Sequence, residues 1–247
     1  TVSRVLNGKG PVRAETAARV REAIERLGYR RNAVARSLVQ QRTHVLGVLV
    51  PDIANPFFPE VVRGIEQEAQ QHGYHIVLCN TAETPEIEAR SLVLLAERRV
   101  DAVILCSARM DSATLLQLGR EFPAVVLVNR SLQASFLRSV CVDDELGMAL
   151  VLHHLLATGR RRIAFIGGPT QSYSSQARER SFIHVLVAIG VPREEIIVRH
   201  SFPTAEGGKH VASELFREHP DIDAVIGFND LVAIGILQAC RATGRRV

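Results

Sequence analysis

The sequence predicts a doubly wound α/β protein that follows a short, basic helical segment. Two observations lead to this prediction: apolar runs alternate with amphipathic helical patterns from Val45 onward, and positive charge is concentrated before that point. Apolar runs that alternate with helices are typical of parallel strands joined by crossover helices. The length of 247 residues exceeds the usual size of one domain and favours more than one folded unit.

The charge of the chain is unevenly distributed. Residues 1–43 contain nine Arg and one Lys against three Glu, a net charge of +7, which leaves −3 for the other 204 residues. A basic segment attached to a mildly acidic body is typical of nucleic-acid binding. A solvated helical tail would show the same charge, so both interpretations stay open on charge alone.

The basic segment begins with two short helical patterns. Val2, Val5 and Leu6 share one helical face, and a second pattern covers residues 14–27 before Gly28. Two such helices have the size of part of a helix-turn-helix. We expect the following basic stretch, YRRNAVARSLVQQRTH, to be a linker that becomes helical only when something packs on it.

The body then repeats strand and helix in strict order. The expected strands are VLGVLV, YHIVLC, VDAVILC, AVVLV, SVCV, RIAFIG, EIIV and DAVIGF. The expected helices cover residues 58–72, 85–98, 112–121, 145–157, 176–189, 205–219 and 230–243. So many repeats favour two similar lobes with a crossover near Gly159. The chain starts without Met and ends where another strand is expected, so we expect it to be truncated at both ends.

Catalytic motifs are missing from the loops that follow the strands. PDIANPFF and GGPTQSYSS match no dinucleotide, phosphate-loop or nucleophile-elbow motif. The adjacent pairs His153-His154 and Asp143-Asp144 point apart on a regular element, which disfavours metal or acid–base roles. We therefore expect neither an enzyme, nor a cofactor, nor a metal site.

Compartment is indicated by the cysteines and by hydropathy. The four cysteines are too widely spaced for a disulfide framework or a Cys-x-x-Cys site and are expected to be buried. No apolar run is long enough for a membrane span, and no signal peptide is evident. The expectation is a soluble cytoplasmic protein without membrane association.

Polar and aromatic residues collect where the strands end. Ligands of open α/β sheets bind beyond the carboxyl ends of the strands. Amide, guanidinium and carboxylate groups can bond adjacent hydroxyls, and an aromatic ring can cover a sugar face. Each residue also has an ordinary structural explanation, such as a turn, a helix cap or the core. The residues concerned are Asn55, Phe57, Phe58, Asn129, Arg130, Phe228, Asn229 and Asp230.

The order of these motifs resembles one known family. TVSRVLNG, VRAETAARVREAIERLGYRRNAVARSL, VPDIANPFF, LVNR, GRRRIAFIGGP and FNDLVAIG follow the pattern of the lactose and purine repressor family, the LacI/GalR-type bacterial transcription regulators. The resemblance covers essentially the whole chain. It implies a partial helix-turn-helix DNA-binding headpiece at 1–30, a hinge helix and linker at 31–43, and a periplasmic-binding-protein-like effector domain. The lobes of that domain are expected at 44–158 and, incomplete, at 159–247.

The same resemblance implies a ligand-responsive repressor. Members bind palindromic operator DNA as homodimers, and a small molecule, here a carbohydrate, binds in the interlobe cleft. Arg4 is then expected to read bases and Leu38 to wedge into the minor groove. The expected phosphate-contacting or positioning residues are Thr1, Ser3, Asn7, Thr16, Tyr29 and Asn32.

Effector contacts are also implied by position. Arg178 matches the family's R-x-x-x-F spacing with Phe182, whereas Arg180 does not and is expected on the solvent side. Asn129 stands where sugar binders often have Asp, so the identity of the ligand stays open. The expected effector residues are Asn55, Phe57, Phe58, Asn129, Arg130, Arg178, Phe202 and Asp230.

Two other classes of protein explain the sequence less completely than a regulator does. A sugar-binding protein without a DNA function would leave the +7 segment and Leu38 unexplained. An α/β enzyme would need a nucleophile or a cofactor loop that the strand-end motifs do not contain.

Overall fold

The computed structural model describes residues 2–7, 11–28 and 42–247. The chain separates into two compact units, Thr1–Thr43 and His44–Val247. Most of the hinge and linker expected at 31–43 lies outside the described residues.

The described residues of the first unit form two short helices, α1 (Val2–Asn7) and α2 (Ala14–Arg26). The N-cap position of α2 is held by Arg13, whose side chain makes no capping hydrogen bond. Gly28 follows the end of α2 as expected, with a φ of +57°, and donates its N–H to the carbonyl of Glu25. A positive φ is the conformation that glycine adopts without strain at a helix end.

The second unit contains two parallel sheets. The first sheet has the strand order β2-β1-β3-β4-β5. Its strands are β1 (Val45–Val50), β2 (His75–Asn80), β3 (Ala102–Cys106), β4 (Val125–Val128) and β5 (Leu137–Val140). The connecting helices are α3 (Phe57–Gln71), α4 (Pro85–Glu97) and α5 (Ser112–Gly119).

The second sheet is smaller, with the order β7-β6-β8. Its strands are β6 (Ile163–Gly167), β7 (Ile197–His200) and β8 (Ala224–Gly227). Four helices accompany this sheet, with a 3₁₀ turn at Arg193–Glu195: α6 (Asp144–Ala157), α7 (Tyr173–Ala188), α8 (Ala205–Glu218) and α9 (Asp230–Ala242).

Apolar strands at the centre of each sheet explain why the body folds this way. The last four residues of β1 and all of β6 are buried. Both strands read as continuous apolar runs because helices cover both faces of a parallel sheet. Aromatic packing adds to the second core, where the rings of Phe165 and Phe182 lie 5.6 Å apart.

Some boundaries differ from the sequence prediction. Helix α6 precedes residue 159, yet its Met148 and Leu152 pack with Phe165 of the second sheet, so the packing places α6 with the second lobe. The short strand expected at SVCV begins earlier, at Leu137. Helix α7 also begins earlier because the Ser172 hydroxyl caps it by accepting the N–H of Ser175.

Two further expectations concern the burial of the cysteines and the absence of a membrane span. Cys106 and Cys240 are buried, but Cys79 is only partly buried and Cys141 is exposed, so the expectation that all four are buried is wrong. Across residues 2–7, 11–28 and 42–247, no helix combines the length and apolar character needed to cross a membrane.

Candidate ligand-binding cleft and nucleic-acid-binding segment

A cavity of about 760 Å³ lies within the second unit. Loops that follow the strands of both sheets line it, which is where open α/β folds bind ligands. The lining combines aromatic rings, amides, hydroxyls and charged groups. It includes Asn55, Phe57, Phe58, Glu83, Ser107, Arg109, Asn129, Ser172, Ser174, Arg178, Pro203, Phe228, Asn229 and Asp230.

The loop after β1 supplies two phenylalanines with different surroundings. Phe57 is 50% exposed, whereas Phe58 is 5% exposed and packs in a core cluster with Val48 and Val50. The two rings lie 5.2 Å apart, nearly perpendicular. The side chain of Asn55 orients this turn by accepting the N–H of Phe57 at 3.1 Å. Phe57 is therefore the ring available to cover an apolar ligand face.

A buried ion pair forms another part of this wall. Arg109 donates from Nε to Glu83 Oε2 at 2.5 Å and from Nη1 to the Ser107 carbonyl at 2.7 Å. The side chains of Arg109 and Glu83 are only 4% and 5% exposed. Bidentate pairing fixes both groups in orientation, because two parallel hydrogen bonds restrict rotation.

Glu88 holds the loop after β3 through its carboxylate. Its Oε2 accepts the backbone N–H groups of Arg109 at 2.8 Å and Met110 at 3.2 Å. Burial raises the pKa of Glu88, and the two backbone hydrogen bonds partly oppose that rise. Its other oxygen, Oε1, is buried without a hydrogen-bond partner.

Arg130 supports the wall instead of lining the cavity. Its Nη1 donates to the carbonyls of Ala108 and Met110 at 2.9 and 2.5 Å, and its Nη2 donates to the Ser112 hydroxyl at 3.1 Å. Burial lowers the pKa of the Arg130 guanidinium, while the Glu88 carboxylate opposes the change. Its guanidinium contacts the loop after β3 in this structure, and the expected contact of Arg130 with an effector stays a prediction.

Phe202 is the second expected effector residue outside the lining. It is 58% exposed, and its neighbour Pro203 takes the lining position. Both residues follow β7, and the expected contact of Phe202 with an effector stays a prediction.

Arg178 lines the cavity from α7. Its Nε and Nη2 donate to Asp144 Oδ1 at 2.8 and 2.7 Å, and its Nη1 donates to the carbonyl of Phe228. Its guanidinium carbon lies 5.2 Å from the centre of the Phe228 ring. Arg180, in contrast, is exposed and pairs with Glu145 at 2.9 Å. The spacing argument that separated these two arginines agrees with this placement.

The loop after β8 brings an amide and a carboxylate to the cavity. Asn229 caps α9 by accepting the N–H of Val232 at 2.9 Å. Asp230 is exposed in the first turn of α9. Asn129, across the cavity after β4, has a φ of +58°, a conformation that Asn tolerates better than most residues.

Sequence reasoning missed several lining residues, namely Glu83, Ser107, Arg109, Ser172 and Ser174. Four of them lie in the loops after β2, β3 and β6, and Ser174 lies in the first turn of α7 just beyond the β6 loop, so the strand-end rule could have found this region. No local motif marks the pairing of Glu83 with Arg109, because it joins two separate loops. Within the described ranges, no group of three or more His, Cys, Asp or Glu side chains is arranged to hold a metal ion.

The nucleic-acid candidates lie in the first unit. Arg4 is exposed on α1, and Thr16 is partly exposed on α2. Ser3 and Asn7 also belong to α1. Thr1, Tyr29, Asn32 and Leu38 lie outside the described residues.

The fold and the cleft together define a class of protein. Two parallel sheets with a cavity at their carboxyl ends form a small-molecule-binding domain, and a basic helical segment precedes it in the chain. The chain belongs to the lacI family of bacterial regulatory proteins. The profile for the periplasmic binding proteins and sugar binding domain of that family matches residues 43–247, and the lacI-family regulatory profile matches residues 1–32.

Individual relatives match over the whole chain. The ribose operon repressor of Halalkalibacterium halodurans is 37% identical over 100% of this chain and 72% of its own length. The crystal structure of the lac repressor dimer bound to operator and the anti-inducer ONPF has a TM-score of 0.85 and 25% identity, covering 100% of this chain and 74% of that one. The transcriptional regulator CelR in complex with cellobiose has a TM-score of 0.73 and 30% identity, covering 100% and 75%.

Proposed function

We propose that this chain is a repressor that binds operator DNA as a homodimer in the cytoplasm and responds to a carbohydrate bound in the cleft. Residues 1–30 form the DNA-binding headpiece and residues 31–43 the hinge. The observation that carries the proposal is the cleft itself, in which rings and hydrogen-bonding groups from two sheets surround one cavity.

The chemistry of the cleft suits a sugar. Phe57 offers an exposed ring face for the apolar side of a pyranose or furanose. Asn129 and Asp230 supply amide and carboxylate groups that can each bond two neighbouring hydroxyls. A cavity of about 760 Å³ has room for a mono- or disaccharide.

The relatives support the same ligand class and partner. One is named a ribose operon repressor, another is a complex of a transcriptional regulator with cellobiose, and the lac repressor was crystallised as a dimer bound to operator. Arg4 is then the candidate for reading a guanine edge, and Leu38 for the minor groove.

The proposed mechanism is a coupling between two binding sites. A ligand that contacts both walls favours one arrangement of the lobes, and that arrangement favours one placement of the hinges on DNA. Such coupling free energies are typically about 1–3 kcal/mol, which changes the affinity for DNA by about 5- to 150-fold.

A sugar-binding protein without DNA function is the alternative. It would have no use for the net charge of +7 in residues 1–43. Sequence-selective, salt-dependent binding to duplex DNA by the full-length protein is expected here, and equal affinity for every sequence would favour the alternative.

Two experiments test the proposal. A thermal-shift screen with D-ribose, D-glucose and cellobiose should show stabilisation by at least one sugar, since a ligand at 100 times its Kd adds about 2.7 kcal/mol. Leu38→Ala should weaken specific DNA binding far more than nonspecific binding. No response to any carbohydrate would remove the effector assignment, and equal losses for both kinds of DNA would remove the wedge role of Leu38.

A further inference from the structure

Two arginines line the cleft, and each of them already forms an ion pair with a carboxylate. Arg109 is paired with Glu83 on the wall from the first sheet, and Arg178 with Asp144 on the wall from the second sheet. The state of these two guanidinium groups decides whether the cleft can accept an anionic ligand. Arg is the side chain best suited to phosphate and carboxylate when it is free.

Each of the three nitrogens of the Arg178 guanidinium makes one contact, which uses three of its five N–H groups. Two contact Asp144 Oδ1 and the third donates to the Phe228 carbonyl. The Asp144 side chain is only 5% exposed. An anion that captured Arg178 would leave the Asp144 carboxylate buried without its partner, which is strongly unfavourable.

The Arg109 pair is more deeply buried still. Nε and Nη2 both contact the Glu83 carboxylate, and Nη1 is held by the Ser107 carbonyl. Since both side chains are nearly inaccessible, a ligand phosphate cannot replace Glu83 without opening the wall.

Asp230 adds a negative charge that the cleft does not balance. Within the described residues, its carboxylate has no ion-pair partner. Its position in the first turn of α9 is favourable for a carboxylate, because the N-terminal end of a helix carries partial positive charge. The three carboxylates of Glu83, Asp144 and Asp230 thus outnumber the two guanidinium groups by one.

We propose that the cleft selects uncharged, polyhydroxylated ligands and rejects their phosphate esters and carboxylates. Asp144 determines this selectivity by neutralising Arg178, although Asp144 itself does not line the cavity. Rejection by an unfavourable charge is a common way to build specificity. The inference rests on the proposed function, because it defines the ligand class of the same cleft.

Matched sugar pairs test the selectivity of the wild-type chain. Calorimetric titrations would compare D-ribose with D-ribose 5-phosphate, and D-glucose with D-glucose 6-phosphate. Within the pair that binds, we expect the neutral sugar to bind at least about tenfold more tightly. Equal or tighter binding of a phosphate ester would overturn the inference while leaving a sugar-responsive regulator intact.

A charge variant tests the role of Asp144 without any sugar. Asp144→Asn removes the negative charge that pairs with Arg178 and changes the shape of the side chain little. Inorganic phosphate is the probe in a thermal-shift titration. We expect this variant to bind phosphate at least about tenfold more tightly than the wild type, and the gain to disappear in Asp144→Asn/Arg178→Gln. Asp143→Asn is the matched control, because it removes an equal charge at the neighbouring N-cap position and Asn can still cap α6.

The sugar titrations and the phosphate titrations distinguish failure of the carbohydrate assignment from failure of the charge selectivity. If no sugar binds the wild type but Asp144→Asn gains phosphate binding, the carbohydrate assignment fails and the charge selectivity stands. If Asp144→Asn gains no phosphate binding, or Asp143→Asn gains as much, Asp144 does not set the selectivity.

Discussion

The two walls of the cleft are held in place by different kinds of contact. On the first sheet, charged side chains fix the loop after β3. Glu88 accepts a backbone N–H of this loop, Arg130 donates to one of its carbonyls, and Glu83 pairs with Arg109. On the second sheet, glycines allow close approach: a Cβ on Gly168 would meet the ring of Phe228 at 2.7 Å, and one on Gly235 would meet the Ala205 carbonyl at 2.1 Å.

Because of this difference, different kinds of substitution should destabilise the two walls. A wall held by buried charges depends on protonation and on every partner being present. The close backbone contacts of the other wall, which also contains the Arg178–Asp144 ion pair, depend on small side-chain volume and not on pH. Substitutions at the two kinds of contact should therefore differ in size and in pH dependence.

The largest effect is expected at Gly235, where α9 packs against α8. In Gly235→Ala the added Cβ would lie 2.1 Å from the Ala205 carbonyl and 2.5 Å from the Lys209 nitrogen, both backbone atoms that cannot rotate away. We expect a loss of at least about 3 kcal/mol in the free energy of unfolding, measured by urea denaturation.

Gly147→Ala is the control for that substitution. Gly147 lies in α6 with no atom within 4 Å of an added Cβ. It should gain about 0.5 to 1 kcal/mol, because Ala favours the helix. Similar losses at both glycines would contradict the packing of α8 on α9.

Glu88 offers the next effect, on the charged wall. Glu88→Ala removes the acceptor of two buried N–H groups, and we expect a loss of about 2 kcal/mol in the free energy of unfolding. Glu88→Gln keeps an oxygen acceptor and should lose less. Equal losses in the two variants would show that the carboxyl oxygen does not hold the loop.

The same residue predicts a pH dependence. Because the pKa of Glu88 is raised in the folded state above its ordinary value of 4.5, the folded chain binds more protons between pH 4.5 and the raised pKa. The stability of the wild type relative to Glu88→Gln should then fall as pH rises through that window. A constant difference between pH 4 and 8 would contradict a raised pKa, and Gly235→Ala should show no such trend.

A smaller effect separates two threonines at equivalent helix starts. Thr204 caps α8 by accepting the N–H of Gly207 at 3.1 Å, whereas Thr84 occupies the N-cap position of α4 and donates to the Ala82 carbonyl without capping. Thr204→Ala should cost about 1 kcal/mol and Thr84→Ala only a few tenths, by thermal denaturation. A reversed order would contradict the capping geometry.

Most of the fold could be predicted from the sequence. The alternation of apolar runs with helical patterns identified the strands and helices, because a strand buried on both faces has few polar residues. The lobe boundary at residue 159 could not be located the same way. Chain order does not reveal that Met148 and Leu152 of α6 pack on the second sheet.

The cleft was only partly predictable. The strand-end rule and the motif spacing found Phe57, Arg178 and Asp230, because a loop's position after a strand is visible in sequence. The direction of a side chain is not visible in the sequence. Arg130 was therefore expected in the cavity, whereas it donates to the carbonyls of its own wall. The pairing of Glu83 with Arg109 joins loops 26 residues apart and leaves no local signal.

Both walls are expected to bind one neutral sugar, and a calorimetric titration of two variants can decide whether they do. Asn129→Ala alters the wall from the first sheet and Asp230→Asn the wall from the second, with Asp143→Asn as the control outside the lining. We predict that each cleft variant binds the sugar at least about tenfold more weakly, while the control binds it like the wild type. Unchanged affinity in either cleft variant would contradict a site shared by the two lobes.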